Sequence, residues 1–299
     1  MPDIALQSAG VARCRTSAAD VDRAIAHRLA RTALRSLYAE LVLYPKPGLV
    51  SLCDNGSHVD MTAETFVRSL FSLRHYFAAV AAAGMRAADM GALRRLGIAS
   101  EARMLEATRG VNTHRGAIFT LGLLAAAAGV AWSRRRAPAD STLREIVAAH
   151  WRRDLLAVPA FAAADCSHGR QVAARYGVGG ARGEAISGFP AVFDVALPAM
   201  RFARSRGVGE ARAQLHAFFA LLAHVDDTNV LYRGGSEAAA TLKQGAADFI
   251  AAGSVFADDW RRRAEMLHRW SSSRRLSPGG CADLLAAAIF VDRWQHNEG

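Results

Sequence analysis

Five short polar segments interrupt a chain otherwise rich in Ala and Leu, and each carries residues suited to chemistry. The first is LYPKPGLVSLCDNGSHVDM, residues 43–61, which holds Lys46, one of only two lysines beside Lys243. Pro45 and Pro47 restrict the backbone on either side and Gly48 permits a turn, so the segment predicts a pre-aimed ammonium able to meet an anion. Asn55, Gly56, Ser57, His58 and Asp60 follow as a polar turn, with Asp60 or Thr62 placed to cap the next helix.

The second segment is GVNTHRGAIF, residues 110–119. Asn112 or Thr113 can cap a helix whose first turn holds His114, Arg115 and Gly116, so free N–H groups, a positive helix end and a guanidinium point to phosphate binding. In the third, residues 167–190, Gly177, Gly179, Gly180 and Gly183 surround Arg182 just before Glu184, a density that lets backbone approach a ligand closely. The fourth, HVDDTNVLYRGG at 224–235, spaces Asp226, Asn229 and Arg233 along one helix face, with His224 and Asp227 likewise three apart. Its adjacent carboxylates, Asp226 and Asp227, with a neighbouring amide oxygen, suit Mg²⁺, which takes oxygen ligands and shares them with substrate phosphates. The fifth, SPGGCADLLAAAIF at 277–290, begins with Ser277 as N-cap and Pro278 in the first helical position, leaving Gly279, Gly280 and Asp283 to line a site. Taken singly, each segment also reads as ordinary capping, a surface loop or a salt-bridge network.

The elements that must position these segments are helices. Apolar residues recur at helical spacing over about 21–43, 62–83, 95–109, 114–132, 142–155, 184–205, 209–232, 237–252, 255–270 and 278–294, and no β-branched alternation bounded by hairpin turns is present. The expectation is an all-α fold: a flexible N-terminal arm at 1–20 and a single multi-helix domain at 21–296, with a polar cleft at helix junctions. Arg134–Ser141 and Ser271–Arg275 read as exposed loops. Gly116–Trp132 is apolar enough to raise a membrane span but short for one and full of small residues, so it reads as a buried core helix. Glu40, one turn before Pro45, reads either as facing the cleft or, as is commoner for a helix-face carboxylate, as solvated.

The formal charge of +10 comes from 37 basic and 27 acidic residues and is carried almost wholly by Arg. No aromatic-interleaved basic stripe accompanies it, so runs such as Arg134–Arg136 and Arg261–Arg263 read as solvated faces and not as a nucleic-acid surface. The four cysteines, Cys14, Cys53, Cys166 and Cys281, form no CxxC pair and no zinc spacing, and no basic segment leads into an apolar core at the N-terminus. Free thiols and a cytoplasmic location are the expectation.

In this order, PKPGLV with GSHVDM, GVNTHRGAIF, GARGEA with GFP, DDTNVLYRGG and SPGGCADLL resemble the signature segments of the triphosphoribosyl-dephospho-coenzyme A synthase family, over about residues 36–291. That resemblance implies transfer of the 5-triphosphoribosyl unit of ATP to the 2′-hydroxyl of 3′-dephospho-CoA with release of adenine. The product is the prosthetic-group precursor used by a carrier-protein modifying transferase for citrate lyase or malonate decarboxylase. Ser51 stands where the citrate-lyase branch typically has Asp and looks more like the malonate-decarboxylase branch. Arg115 stands where the family often has Lys, which keeps the charge but presents a planar fork.

For such a transfer, Glu184 and Asp226 are the candidates for base and stabiliser of an oxocarbenium-like centre, and His58 for donor to the departing adenine. Lys46, Ser57, Asp60, Asn112, His114, Arg115, Arg182, Asn229 and Arg233 are the candidates to bind substrate, with Mg²⁺ on Asp226 or Asp227. Two other classes stay open: a Mg²⁺-dependent hydrolase of a nucleotide or ADP-ribosyl glycosidic bond using the same carboxylates, and an Arg-rich helical protein that binds RNA or an acidic partner.

Overall fold

The computed structural model describes residues 17–157, 172 and 175–296. Among them there is no strand, and the chain is an all-α domain. Helix α1 (Ala18–Val42) starts where the Ser17 hydroxyl accepts the Asp20 N–H, and it ends at Leu43, just ahead of Pro45. It is followed by α2 (Ala63–Ser72), α3 (Arg74–Met85), α4 (Met90–Ala107), α5 (Arg115–Ser133) and α6 (Asp140–Ala157). The second half contains α7 (Gly180–Ile186), a π-helical turn (Ala191–Ala196) running into α8 (Leu197–Ser205), then α9 (Glu210–His224), α10 (Thr228–Ala251), α11 (Trp260–Ser273) and α12 (Gly279–Gln295).

At the centre lies α5, the segment apolar enough to raise a membrane span; it is buried inside the bundle along most of its length. It packs most extensively on α3, and α12 lies against α1, α5 and α9. Small residues set the α3–α5 distance. A Cβ at Gly84 would fall on the carbonyl oxygen of Ala126, and one at Gly129 on that of Ala81, so each helix supplies a bare backbone where the other presses against it. That close approach lets Leu121, Leu124 and Phe77 become fully buried, each worth about 1.5–3 kcal/mol in area removed from water.

Three continuous helices expected from periodicity are broken. The run at 62–83 stops at Leu73, and that at 209–232 opens at Val225–Asp227. The run at 184–205 breaks at Gly188–Pro190, where Gly188 and Phe189 take positive φ and the chain turns by 82°. Proline disfavours a helical residue before it, and an apolar stripe carries across such a break because both halves face the same core. Between 232 and 237, where a gap was expected, α10 instead continues through a kink at Gly235. Ser271 is buried near the end of α11 and not in an exposed loop.

Candidate active site

The five polar segments, separated by as many as 220 positions, touch one another. His58 Nε2 lies 2.8 Å from Ser277 Oγ, joining the first to the fifth. The Asp283 carboxylate sits over the start of α5, where it accepts the Ala117 N–H, joining the fifth to the second. Asp227 accepts the Cys281 N–H at 2.8 Å, joining the fourth to the fifth, and Gly180 lies beside Thr228, joining the third to the fourth.

Three helix N-termini therefore meet around buried carboxylates. Asp227 caps two of them: its Oδ1 accepts the Asn229 and Val230 N–H groups of α10 at 2.8 and 3.4 Å, and its Oδ2 accepts the first turn of α12. Burial pushes this carboxyl up while those backbone donors pull it down. Ser277 was expected to cap α12, but Asp227 takes that work and frees the Ser277 hydroxyl for His58. At α5, a Cβ on Gly116 would fall on Asp283 Oδ2, so only glycine leaves room for the carboxylate against the positive helix end. The expected open phosphate position at that helix end is thus partly filled by the protein's own carboxyl group.

Asp283 is crowded by Glu40 and Asp227, and burial followed by these two charges holds its carboxyl well above the usual range. A raised carboxyl means that the folded chain binds this proton more tightly than the unfolded chain. The stability it contributes is complete below the ordinary carboxylate range and is lost as pH rises through the folded value. Asp283→Asn, neutral at every pH, should flatten the fall of the urea midpoint as pH rises above the ordinary carboxylate range. An unchanged slope would contradict this account of Asp283.

Lys46 corrects the expectation of an outward-facing cation. It is fully buried, and its ammonium donates to the Glu40 carboxylate and, at 2.5 Å, to the Glu40 carbonyl oxygen. Glu40 is buried with it, not solvated. Desolvation lowers the lysine and Glu40 offsets that loss, which is the physical reason for the pairing: an isolated ammonium is costly to bury. The loop carrying Lys46 is pinned elsewhere too. The Ser57 hydroxyl donates to the Leu276 carbonyl oxygen. His268 on α11 places Nδ1 2.6 Å from the Lys46 carbonyl oxygen and Nε2 3.1 Å from both Asp54 oxygens.

The other predicted residues divide by environment. His114, not Asn112 or Thr113, holds the N-cap position of α5, and Asn112 Oδ1 accepts the Arg115 N–H at 3.2 Å from just outside the helix. His114 is buried and driven down to about 3 by desolvation, so it is neutral; Ser69 Oγ lies 2.6 Å from its Nδ1 and receives the Thr113 hydroxyl at 2.7 Å. The Arg115 guanidinium pairs with Glu101 of α4. Arg182 turns toward the end of α6, where Nε and Nη2 lie 2.8 and 2.5 Å from the Leu155 carbonyl oxygen. Arg233 is exposed and donates to the Arg275 carbonyl oxygen at 3.2 Å. Asn229 is exposed beside Gly279, and Asp60 is exposed beside His58.

Glu184 is half-buried and accepts the Ala191 N–H at 3.1 Å. Burial raises its carboxyl above the ordinary range; the Ala191 N–H lowers it and nearby Asp194 raises it further. Asp226, by contrast, is exposed in the link before α10 and pairs with Lys243 at 2.8 Å, so it does not share a helix face with Asn229 and Arg233. The adjacent carboxylates thus part company: Asp227 is turned inward and saturated by backbone N–H groups, Asp226 outward. Among the described residues no group of three or more His, Cys, Asp or Glu side chains could hold a metal. Asp226 and Asp227 do not fit a shared protein-built Mg²⁺ site.

Cys53 is exposed and Cys281 buried, both free; Cys14, Cys166 and residues 167–171 of the glycine-rich segment lie outside the described residues. Sequence reasoning missed His268, Ser69 and Asp54, and gave Asp283 only an auxiliary place.

The helix ends of this all-α scaffold gather carboxylates, an imidazole and guanidinium groups, a set able to move protons and hold an anionic substrate. A family model described as CitG, ATP:dephospho-CoA triphosphoribosyl transferase, matches residues 26–299. A protein of Pseudomonas paraeruginosa named probable 2-(5''-triphosphoribosyl)-3'-dephosphocoenzyme-A synthase is 43% identical over 270 residues, covering 89% of this chain and 90% of its own. Relatives of the same name from Pseudomonas fluorescens and Acinetobacter calcoaceticus are 41% and 36% identical, each with 90% of this chain covered and with 92% and 90% of their own. No solved structure gives a significant match. The chain belongs to this family of triphosphoribosyl transferases.

Proposed function

We propose that this enzyme moves the 5-triphosphoribosyl group of ATP to the 2′-hydroxyl of 3′-dephospho-CoA and releases adenine. The observation that carries the reading is the meeting of all five signature segments in one place, since each would otherwise be explicable as local capping. A bond forms between the 2′-oxygen and the ribosyl C1′ as the C1′–N9 bond breaks, its electron pair leaving with adenine. The hydroxyl's proton goes to a base and adenine gains one at a ring nitrogen, so the sum is proton-neutral. No phosphoryl bond is broken.

Glu184 is the base in this scheme: a half-buried carboxylate with a raised affinity for protons is suited to taking one near neutral pH. Asp226, exposed and paired with Lys243, supplies negative charge toward the oxocarbenium-like centre. His58 donates a hydrogen bond to the leaving purine. Any Mg²⁺ enters on the phosphates of ATP as part of the substrate, and no step here runs through it.

Of the expected cations, Arg233 meets a carbonyl oxygen and no carboxylate, so its charge is available for the triphosphate. Arg233→Ala should raise KM for ATP by about 10–100-fold, the worth of a hydrogen bond to a charged group, with kcat little changed. A KM within twofold of the parent would remove Arg233 from the phosphate site.

Ser51 underlies the assignment of the product to the malonate decarboxylase carrier protein through a modifying transferase. Its hydroxyl accepts the Cys53 and Asp54 N–H groups at 3.1 and 3.4 Å, shaping the turn that precedes His58. Deleting the gene for this chain and assaying prosthetic-group loading of the malonate decarboxylase and citrate lyase carrier proteins in the cell would test that assignment. For the reaction itself, adenine release should require 3′-dephospho-CoA; release into water alone would favour the hydrolase reading.

A further inference from the structure

The His58 side chain is 7% exposed, yet its Nδ1 has no hydrogen-bond partner. Its other nitrogen, Nε2, lies 2.8 Å from Ser277 Oγ. Charged groups around the ring are Asp60, whose nearest oxygen is 3.6 Å from Nδ1 and so beyond hydrogen-bond reach, and Arg233.

The two neutral tautomers can be told apart by where their protons go. If Nε2 carried the proton, it would donate to Ser277 Oγ. The Ser277 hydroxyl proton, on a side chain itself buried, would then have no acceptor, because His58 is its one hydrogen-bond partner among the described residues. The bare lone pair of Nδ1 would also face the Asp60 carboxylate, like against like. If Ser277 donates to Nε2 instead, its hydroxyl proton is satisfied and Nδ1–H points toward negative charge. The first arrangement leaves both the Ser277 proton and Nδ1 unpaired and the second leaves only Nδ1–H, facing a negative charge, so the second wins.

We propose that Ser277 is a positioning residue that holds His58 as the Nδ1–H tautomer, presenting that unpartnered N–H to a ring-nitrogen acceptor of the substrate's purine. The proposal rests on the reading of His58 as the donor to departing adenine. Asp60, exposed and 3.6 Å away, orients the same N–H and swings aside into solvent when the acceptor takes its place. The arrangement is an Asp–His–Ser line whose serine sets a tautomer and does not attack.

The test uses the full-length protein with ¹⁵N-labelled histidine. Long-range ¹⁵N–¹H correlation spectra report the tautomer, and His58→Asn identifies the His58 signals among the ten histidines. The parent should show protonated Nδ1, and Ser277→Ala should populate the other tautomer. Ser277→Ala should also lower kcat roughly tenfold, below the span of a complete acid–base loss, with KM for ATP within about twofold. Ser277→Thr, which keeps the hydroxyl, should restore both tautomer and turnover. A parent with protonated Nε2, or a tautomer unmoved by Ser277→Ala, overturns the positioning role. A shifted tautomer with unchanged kcat leaves Ser277's hold on the ring intact and overturns the use of Nδ1–H as donor to the purine.

Discussion

Glu184→Gln lowers kcat by about 10²–10⁴-fold while the protein stays folded, because a base removed from the transition state costs that much and the amide keeps the shape of the side chain. The substitution preserves an oxygen acceptor for the Ala191 N–H, so α7 and the π-helical turn keep their junction. The pH profile supplies an independent check. Only ionised Glu184 can take the proton, so kcat/KM in the parent falls as pH drops through its pKa. Burial places that limb above the ordinary carboxylate range. Glu184→Gln removes the limb along with the rate. Asp226→Asn, on an exposed side chain already met by Lys243, has the smaller effect. Reversal of that order in steady-state kinetics would exchange the two roles.

Lys46→Met destabilises the fold by about 3–5 kcal/mol, the cost of leaving one member of a buried ion pair without the other. Glu40→Leu alone does the same for the stranded ammonium. Lys46→Met with Glu40→Leu recovers most of the loss, since apolar side chains of similar volume often replace a buried pair at little cost. Urea unfolding of the single and double variants reads these values directly. An outward-facing phosphate clamp predicts the opposite pattern: unchanged stability for Lys46→Met and a large rise in KM for ATP.

The difference between those patterns illustrates what sequence alone conveys. The polar segments stood out because Lys46, His58, Asn112, Glu184 and Asp227 interrupt an Ala-rich background, and their order matched a family. The all-α class followed from helical spacing that Leu29, Ala33 and Leu37 obey. Local spacing cannot show a partner far along the chain or across a turn. It displayed Lys46 as a charge between prolines but not the Glu40 carboxylate folded back on it. His268, within WRRRAEMLHRW, looks like part of a charged helix surface; its contact with Lys46 spans 222 positions. Asp226 and Asp227 are neighbours in sequence and opposites in structure, because the helix starts at Thr228 and the second of them must cap it.

Asp283 was underestimated for a related reason. Ser277 and Pro278 form a familiar helix start, and that start accounted for the segment without its carboxylate. The structure reassigns the parts: Asp227 caps, Ser277 holds His58, and Asp283 lies against the N-terminus of α5. Gly116 carried the signal, as the glycine that leaves room for a carboxylate 167 positions later, but nothing local to GVNTHRG indicates what fills that room.

The most direct measurement of the central claim is the mass of the acceptor after incubation with ATP and Mg²⁺. 3′-Dephospho-CoA should become heavier by one triphosphoribosyl unit, one-for-one with free adenine, and that gain should slow by about 10²–10⁴-fold in Glu184→Gln. Adenine released with the acceptor's mass unchanged, or an acceptor carrying only a phosphoryl group, would contradict it.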